Sequence, residues 1–198
     1  MVVSDGDGMK KAILIGMAGE SAGGKSTAAE SLKEKLAGCR VKVIHMDDYY
    51  REESARPVIL GCTDGKRYID DNHPDALDLD RVYVDVERSR EGQWDVVIVE
   101  GLFALWDERI FRLMDLKVFV DCDSDERLVR RLKRQLSYGQ SQDKITERYI
   151  QAVQPRQREY VSPTKWKADM ILNGFRPSSE GIDLIACWIN HRMRDSRD

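Results

Sequence analysis

The sequence has few of the residues that staple a small fold or hold a metal. Its four cysteines, Cys39, Cys62, Cys122 and Cys187, are widely spaced, so no CxxC redox motif can be built from them. With only three histidines, His45, His73 and His191, a structural zinc site has little to draw on. The expectation is reduced thiols in a cytoplasmic protein. Long hydrophobic runs are also missing. The longest span about five or six residues, against the roughly 20 that cross a bilayer. No charged-apolar-small leader opens the chain, so neither secretion nor a membrane partner is expected. Finally, no charge sign dominates. Thirty-two basic residues face 35 acidic ones, for a net charge of −3. That balance, with no aromatic-basic stripe, argues against a nucleic-acid partner while leaving room for a local basic site.

What is present is the composition of a globular chain. Of 198 residues, 41% are hydrophobic and 34% charged, and no repeat or linker divides them, so residues 1–198 read as one domain. Residues 1–10 and 191–198 read as flexible tails. Short runs rich in Val, Ile and Leu alternate with longer periodic stretches. Ala12–Met17, Val41–His45, Val96–Val99, Leu116–Val120 and Met170–Leu172 read as strands, the clearest of them apolar throughout, as in a sheet covered on both faces. Lys25–Leu36, Asp125–Leu136 and Gly181–Met193 read as helices. The second carries Leu128, Leu132 and Leu136 at i, i+4, i+8. Leu79–Arg90 fits either a strand or a helix. Asp78 as N-cap and Gly92 as terminator favour the helix. This alternation predicts an α/β fold with a five-stranded parallel sheet.

Gly19-Glu20-Ser21-Ala22-Gly23-Gly24-Lys25-Ser26 fits the phosphate-loop pattern GxxxxGK[ST], between a strand and a helix. Glycines let consecutive N–H groups turn toward phosphate oxygens, and the helix N-terminus adds a favourable dipole. Lys25 can bridge the β- and γ-phosphates of ATP, and the Ser26 hydroxyl can bind Mg²⁺. Thr27 completes the nucleotide-binding stretch. Asp47 and Asp48 follow a predicted parallel strand, at the end where ligands bind. A carboxylate there could take a proton from a hydroxyl or hold the metal. Glu100, closing an apolar strand before Gly101, has the form of a Walker-B-like metal contact. Arg127, Arg131 and Arg134 share a helix side by i+4 and i+3 spacing, where they could meet transferring phosphate. Thr164-Lys165-Trp166-Lys167 lacks the Asp of a guanine-reading run, which argues against a GTPase-type switch. Trp94, Trp106, Trp166 and Trp188 read as buried or half-buried packing residues, and His45 as core.

Taken in order, these motifs resemble the uridine kinase and phosphoribulokinase family of P-loop kinases. The resemblance runs from about Lys11 to Leu172. It is carried by Gly19–Thr27, His45-Met46-Asp47-Asp48-Tyr49-Tyr50-Arg51, Asn72-His73-Pro74-Asp75-Ala76-Leu77-Asp78, Val97-Ile98-Val99-Glu100-Gly101-Leu102, and Tyr160-Val161-Ser162-Pro163-Thr164-Lys165 with Ala168-Asp169. It implies a P-loop fold with a helical lid near residues 124–150, and an ATP- and Mg²⁺-dependent kinase acting on a hydroxyl of a small metabolite, foremost a nucleoside. It implies Asp47 as base, Ser26, Glu100 and Asp47 around the metal, and Arg131 and Arg134 as lid arginines. Tyr49, Tyr50, Asn72, His73 and Asp75 would line the acceptor, and a homo-oligomer would be in keeping.

Three departures accompany it. Asn72 stands where the family usually has an Asp that grips the ribose. Tyr138-Gly139-Gln140 replaces the lid's Arg-Gly-Arg. The roughly 20 residues between Asp78 and Glu100 cannot hold both a helix and the family's base-reading hairpin. A nicotinamide-riboside-, pantothenate- or sugar-phosphate-type kinase, or a non-catalytic nucleotide-binding module, are the alternatives.

Overall fold

The computed structural model describes residues 11–176 and 179–195. The tails expected at 1–10 and 196–198 lie outside the described residues. The elements in chain order are β1 (Ile13–Ala18), α1 (Lys25–Lys35), β2 (Val41–His45), β3 (Val58–Leu60), β4 (Arg67–Ile69), α2 (Leu79–Arg90), β5 (Val96–Glu100), α3 (Glu108–Leu113), β6 (Leu116–Asp121), α4 (Ser124–Ser137), α5 (Gln142–Arg148), α6 (Gln154–Arg156), β7 (Met170–Asn173) and α7 (Ser179–Asp195). π-Helical turns, Tyr149–Val153 and Gln157–Val161, flank the short α6. Residues 191–195, expected as tail, continue α7.

Five strands form one parallel sheet in the order β2-β5-β1-β6-β7. Alternation along each strand sends side chains to opposite faces. Leu14, Val97, Val99 and Phe119 enter one core with Val82 and Val86 of α2 and Ile110 of α3. Ile15, Ile98, Val118 and Val120 enter another with Ala28 and Leu32 of α1 and Ile182, Ile185 and Ile189 of α7. All five residues of β5 are buried, and the four before Glu100 are apolar. The phosphate-loop strand β1 sits at the centre, so its C-terminal end opens between β5 and β6. The strand register aligns Met17, Glu100 and His45 in one row at that end.

Leu79–Arg90 is helical, with the Asp78 carboxylate accepting from the Arg81 N–H at 3.2 Å. A short turn then leads to β5, so no hairpin stands between α2 and β5. An antiparallel hairpin, β3–β4, does occur, but before the Asn72–Asp78 segment. It was missed because its strands are three residues long and their apolar residues stay largely exposed. Asp64-Gly65 was the available signal, with Gly65 at φ 64° where only glycine is unstrained.

Two other expectations are corrected. In α4 the buried side chains are Arg127 and Arg131, while Leu136 is exposed. The helix turns its cationic side inward because that side meets the phosphate loop rather than an apolar core. Trp166 is 83% exposed; it sits on a short 3₁₀ turn with Lys165 over its ring at 5.7 Å. No disulfide joins the four cysteines among the described residues.

Candidate active site

A cleft of about 660 Å³ opens at the C-terminal ends of the strands. Its floor is the phosphate loop. Gly24 lies at φ 98° and caps α1 without a side-chain hydrogen bond, so first-turn N–H groups stay free to meet an anion. Ala22 adopts φ 62°, an uncommon conformation for a residue with a Cβ. Ser21, Ala22, Gly24, Lys25, Ser26 and Thr27 face the cleft.

Gly19, Glu20 and Gly23 do not line it. The Glu20 carboxylate turns beneath the loop, where it pairs with Arg127 and accepts from the Ser162 hydroxyl. Arg127 also donates from Nε to the Cys122 carbonyl and from Nη1 to Gln157 Oε1, each at 2.9 Å. Arg127 is therefore spent on holding the loop. Its helix partners Arg130, Arg131 and Arg134 reach the cleft.

Lys25 is buried, and burial pushes its ammonium below the ordinary lysine value, opposed by the Glu100 and Asp47 carboxylates. Asp47 opens to solvent through the cleft, but the cleft walls strip water from it. Its pKa is raised by that desolvation, with Lys25 pulling the other way and Glu100 adding to the rise. Arg131 is 9% exposed and donates to Ser21 Oγ at 3.3 Å. Burial, then Arg134 and Arg148, bring its pKa down to about 10. Its Nε has no partner. Lys25 and Arg131 are thus cations held ready for negative charge.

Ser26 Oγ donates to Glu100 Oε2 at 3.1 Å. The other Glu100 oxygen meets His45 Nδ1 at 2.7 Å. His45 is thus a half-buried partner of Glu100 rather than a core residue, as the register of β2 on β5 dictates. For Mg²⁺ the donor set fits. Ser26, Glu100 and Asp47 offer oxygens, and no group of three or more His, Cys, Asp or Glu gathers among the described residues. Mg²⁺ takes one or two protein ligands and completes its shell with water and phosphate.

On the opposite wall, Tyr50 and Asn72 line the cleft. Tyr50 donates to the Asp71 carbonyl at 3.0 Å, and its pKa is raised by burial and then by Asp47 and Asp71. The remaining expected acceptor residues lie elsewhere. Tyr49 donates to Asp85 of α2 at 2.9 Å; burial and that bond raise its pKa to about 12. His73 accepts from the Asp75 N–H and packs edge-on against Tyr160. The Asp75 side chain is exposed. Arg56 and Arg130, basic residues beside the expected acceptor and lid positions, also line the cleft, as do Asp71, Arg148 and Gly174, which sequence reading missed. Nothing local marks them, since loop and helix folding brings them from far apart in the chain.

Comparison with known proteins places this geometry. Residues 93–178 match the Phosphoribulokinase / Uridine kinase family. The chain is similar to the uridine kinase of Lactococcus lactis subsp. cremoris (strain MG1363), at 31% identity over 94% of this chain and 100% of that protein. It is 34% identical to the uridine kinase of Bacillus pumilus (strain SAFR-032), over 90% and 94% of the two chains. Among solved structures, the shikimate kinase of Bacteroides thetaiotaomicron shares the fold at a TM-score of 0.50 and 18% identity, over 92% of this chain and 98% of that one.

Proposed function

The chain belongs to the phosphoribulokinase and uridine kinase family, and from that premise we propose that it transfers the γ-phosphate of ATP, with Mg²⁺, to a hydroxyl of a nucleoside. The observation that carries this reading is convergence. Lys25, Asp47, Arg131 and Arg134, from a loop, a strand end and a helix, line one cleft.

The residues divide the work as follows. The phosphate-loop amides and Lys25 hold the β- and γ-phosphates. Ser26 and Glu100 are the residues to hold Mg²⁺, with His45 fixing the Glu100 carboxylate and Asp47 close by. Bound MgATP supplies the transferable phosphoryl group and a neutralised leaving group. Asp47 orients the acceptor hydroxyl and takes its proton. Arg131 and Arg134, on α4, stabilise the charge that spreads over the transferring oxygens. α4 and α5 form the lid. A cytoplasmic setting belongs to this proposal, in keeping with four cysteines spaced too widely for a CxxC motif.

A coupled ADP-release screen tests this reading. Uridine, cytidine, nicotinamide riboside, pantothenate and sugar phosphates would be offered to the purified protein. A nucleoside should be the preferred acceptor. Asp47→Asn should lower kcat by roughly 10² to 10⁴. ADP release with no acceptor in the panel, or an Asp47→Asn variant within about tenfold of wild type, would refute it.

A further inference from the structure

One helical stretch grips one loop along its length. The loop is residues 61–71, the tip of the β3–β4 hairpin with β4, and it runs directly into Asn72. The stretch is residues 147–156, made of the end of α5, the π-helical turn Tyr149–Val153 and α6. At the hairpin tip, Gln151 Oε1 accepts from the Thr63 N–H at 2.9 Å, and Gln151 Nε2 donates to Thr63 Oγ1 at 2.6 Å. Next along the loop, Lys66 donates to Glu147 Oε1 at 2.7 Å. Arg148 donates to the Ile69 carbonyl at 3.3 Å, and Arg156 Nε to Asp70 Oδ2 at 2.6 Å. Gln151 and Asp70 are buried, so the bonds at those two points are shielded from water.

We infer that residues 147–156 form a strap that positions the acceptor wall, with Gln151 as its central positioning residue. The inference rests on the kinase reading above. The backbone of the stretch is what permits the grip. Side chains four apart on an α-helix share a face, so Glu147 and Gln151 reach the same loop. Five residues further on, an α-helix would carry Arg156 about 140° round the axis, at about 100° per residue, and away from that loop. The turn Tyr149–Val153 is π-helical instead. Its i→i+5 bonding widens the turn, and Arg156 returns to the loop, where it meets Asp70. Such turns are rare and gather at functional sites.

The loop needs this support. Its hairpin has three-residue strands that stay largely exposed, and a two-stranded hairpin alone is marginal in water. From the gripped residues the chain passes into Asp71 and Asn72, both of which line the cleft. A displacement of about 1 Å set up far from the chemistry can cost about 10²-fold in rate. The phosphate loop is held separately, by Glu20 with Arg127 and Ser162. Loosening the strap at Gln151 therefore misplaces the acceptor and leaves ATP binding alone.

The test compares wild type with Gln151→Leu, using the full chain throughout. Hydrogen–deuterium exchange reads the loop without any ligand. Amides of residues 61–72 should exchange about tenfold or more faster in the variant, which lacks both Thr63 bonds, while those of residues 19–27 stay within about twofold. Steady-state kinetics, with the acceptor that the ADP-release panel selects, separates positioning from mere support. The acceptor KM should rise about tenfold or more, and the KM for ATP should stay within about twofold. Gln151→Glu, whose carboxylate still accepts from the Thr63 N–H and hydroxyl, should bring both readouts back towards wild type. Thr63→Ala, at the exposed loop tip, is the second variant should Gln151→Leu fail to fold; it should raise the acceptor KM in the same direction by less. Unchanged exchange of residues 61–72, an equal rise in both KM values, or an acceptor KM left within about twofold would each overturn the assignment. A panel with no acceptor would overturn the kinase reading; faster exchange of residues 61–72, with residues 19–27 unchanged, would still support the strap.

Discussion

Replacing Arg127 by Met should cost stability rather than phosphate contact. Arg127 is 7% exposed, and its guanidinium is used up by Glu20, the Cys122 carbonyl and Gln157. The Met side chain fills much of the space but leaves the Glu20 carboxylate with only the Ser162 hydroxyl and no opposite charge beside it. Removing one partner of a buried pair costs about 3–5 kcal/mol. For a chain of this size each kcal/mol moves the melting temperature by about 2–4 °C, so a fall of about 6–20 °C is expected. The double variant Glu20→Gln with Arg127→Met removes the stranded charge and should melt above the single one. Scanning calorimetry and ATP-dependent turnover, measured on the same preparations, check this. A melting temperature within about 2 °C of wild type, with turnover sharply reduced, would show that Arg127 faces phosphate after all and refute the reasoning.

Two further outcomes follow from the site. Desolvation raises the Asp47 pKa above the ordinary 3.8. Its protonated form cannot accept the acceptor's proton, so kcat should fall on the acid side with a midpoint above 3.8, by about tenfold per pH unit below it. A kcat–pH profile that stays flat down to pH 4 would contradict this. Gly174→Ala should injure the phosphate loop from outside. A Cβ there would stand 2.1 Å from the Gly23 carbonyl oxygen and 3.0 Å from that of Asp121. Both are backbone atoms and cannot swing away. An overpacking cost of about 1–3 kcal/mol and a raised KM for ATP are expected, by chemical denaturation and steady-state kinetics. Unchanged values of both would mean that the two backbones part freely.

Much of the fold was legible because the relevant signals are local. β5 reads as a buried strand since all five of its residues touch protein on both faces. α2 was decided by its cap, Asp78. The β3–β4 hairpin escaped because its exposed, three-residue strands obey no burial pattern. α4 misled for a related reason. Its leucine line marks an amphipathic helix, yet the side turned inward is the one that meets an anion-binding loop, and that side is cationic.

By itself, the sequence determined the phosphate loop, the strand-end carboxylates Asp47 and Glu100, and the parallel sheet that carries them. In each case the chemistry depends on spacing within a few residues, and spacing is written in the chain. Only the tertiary structure separated Arg127 from Arg131 and Arg134, three arginines that look alike by periodicity. It did so because the Glu20 carboxylate, more than 100 positions away in the chain, captures one of them. It also drew Arg56, Asp71 and Arg148 into one wall. That array spans more than 90 positions, and no local pattern specifies which distant charges will meet once the loops are packed.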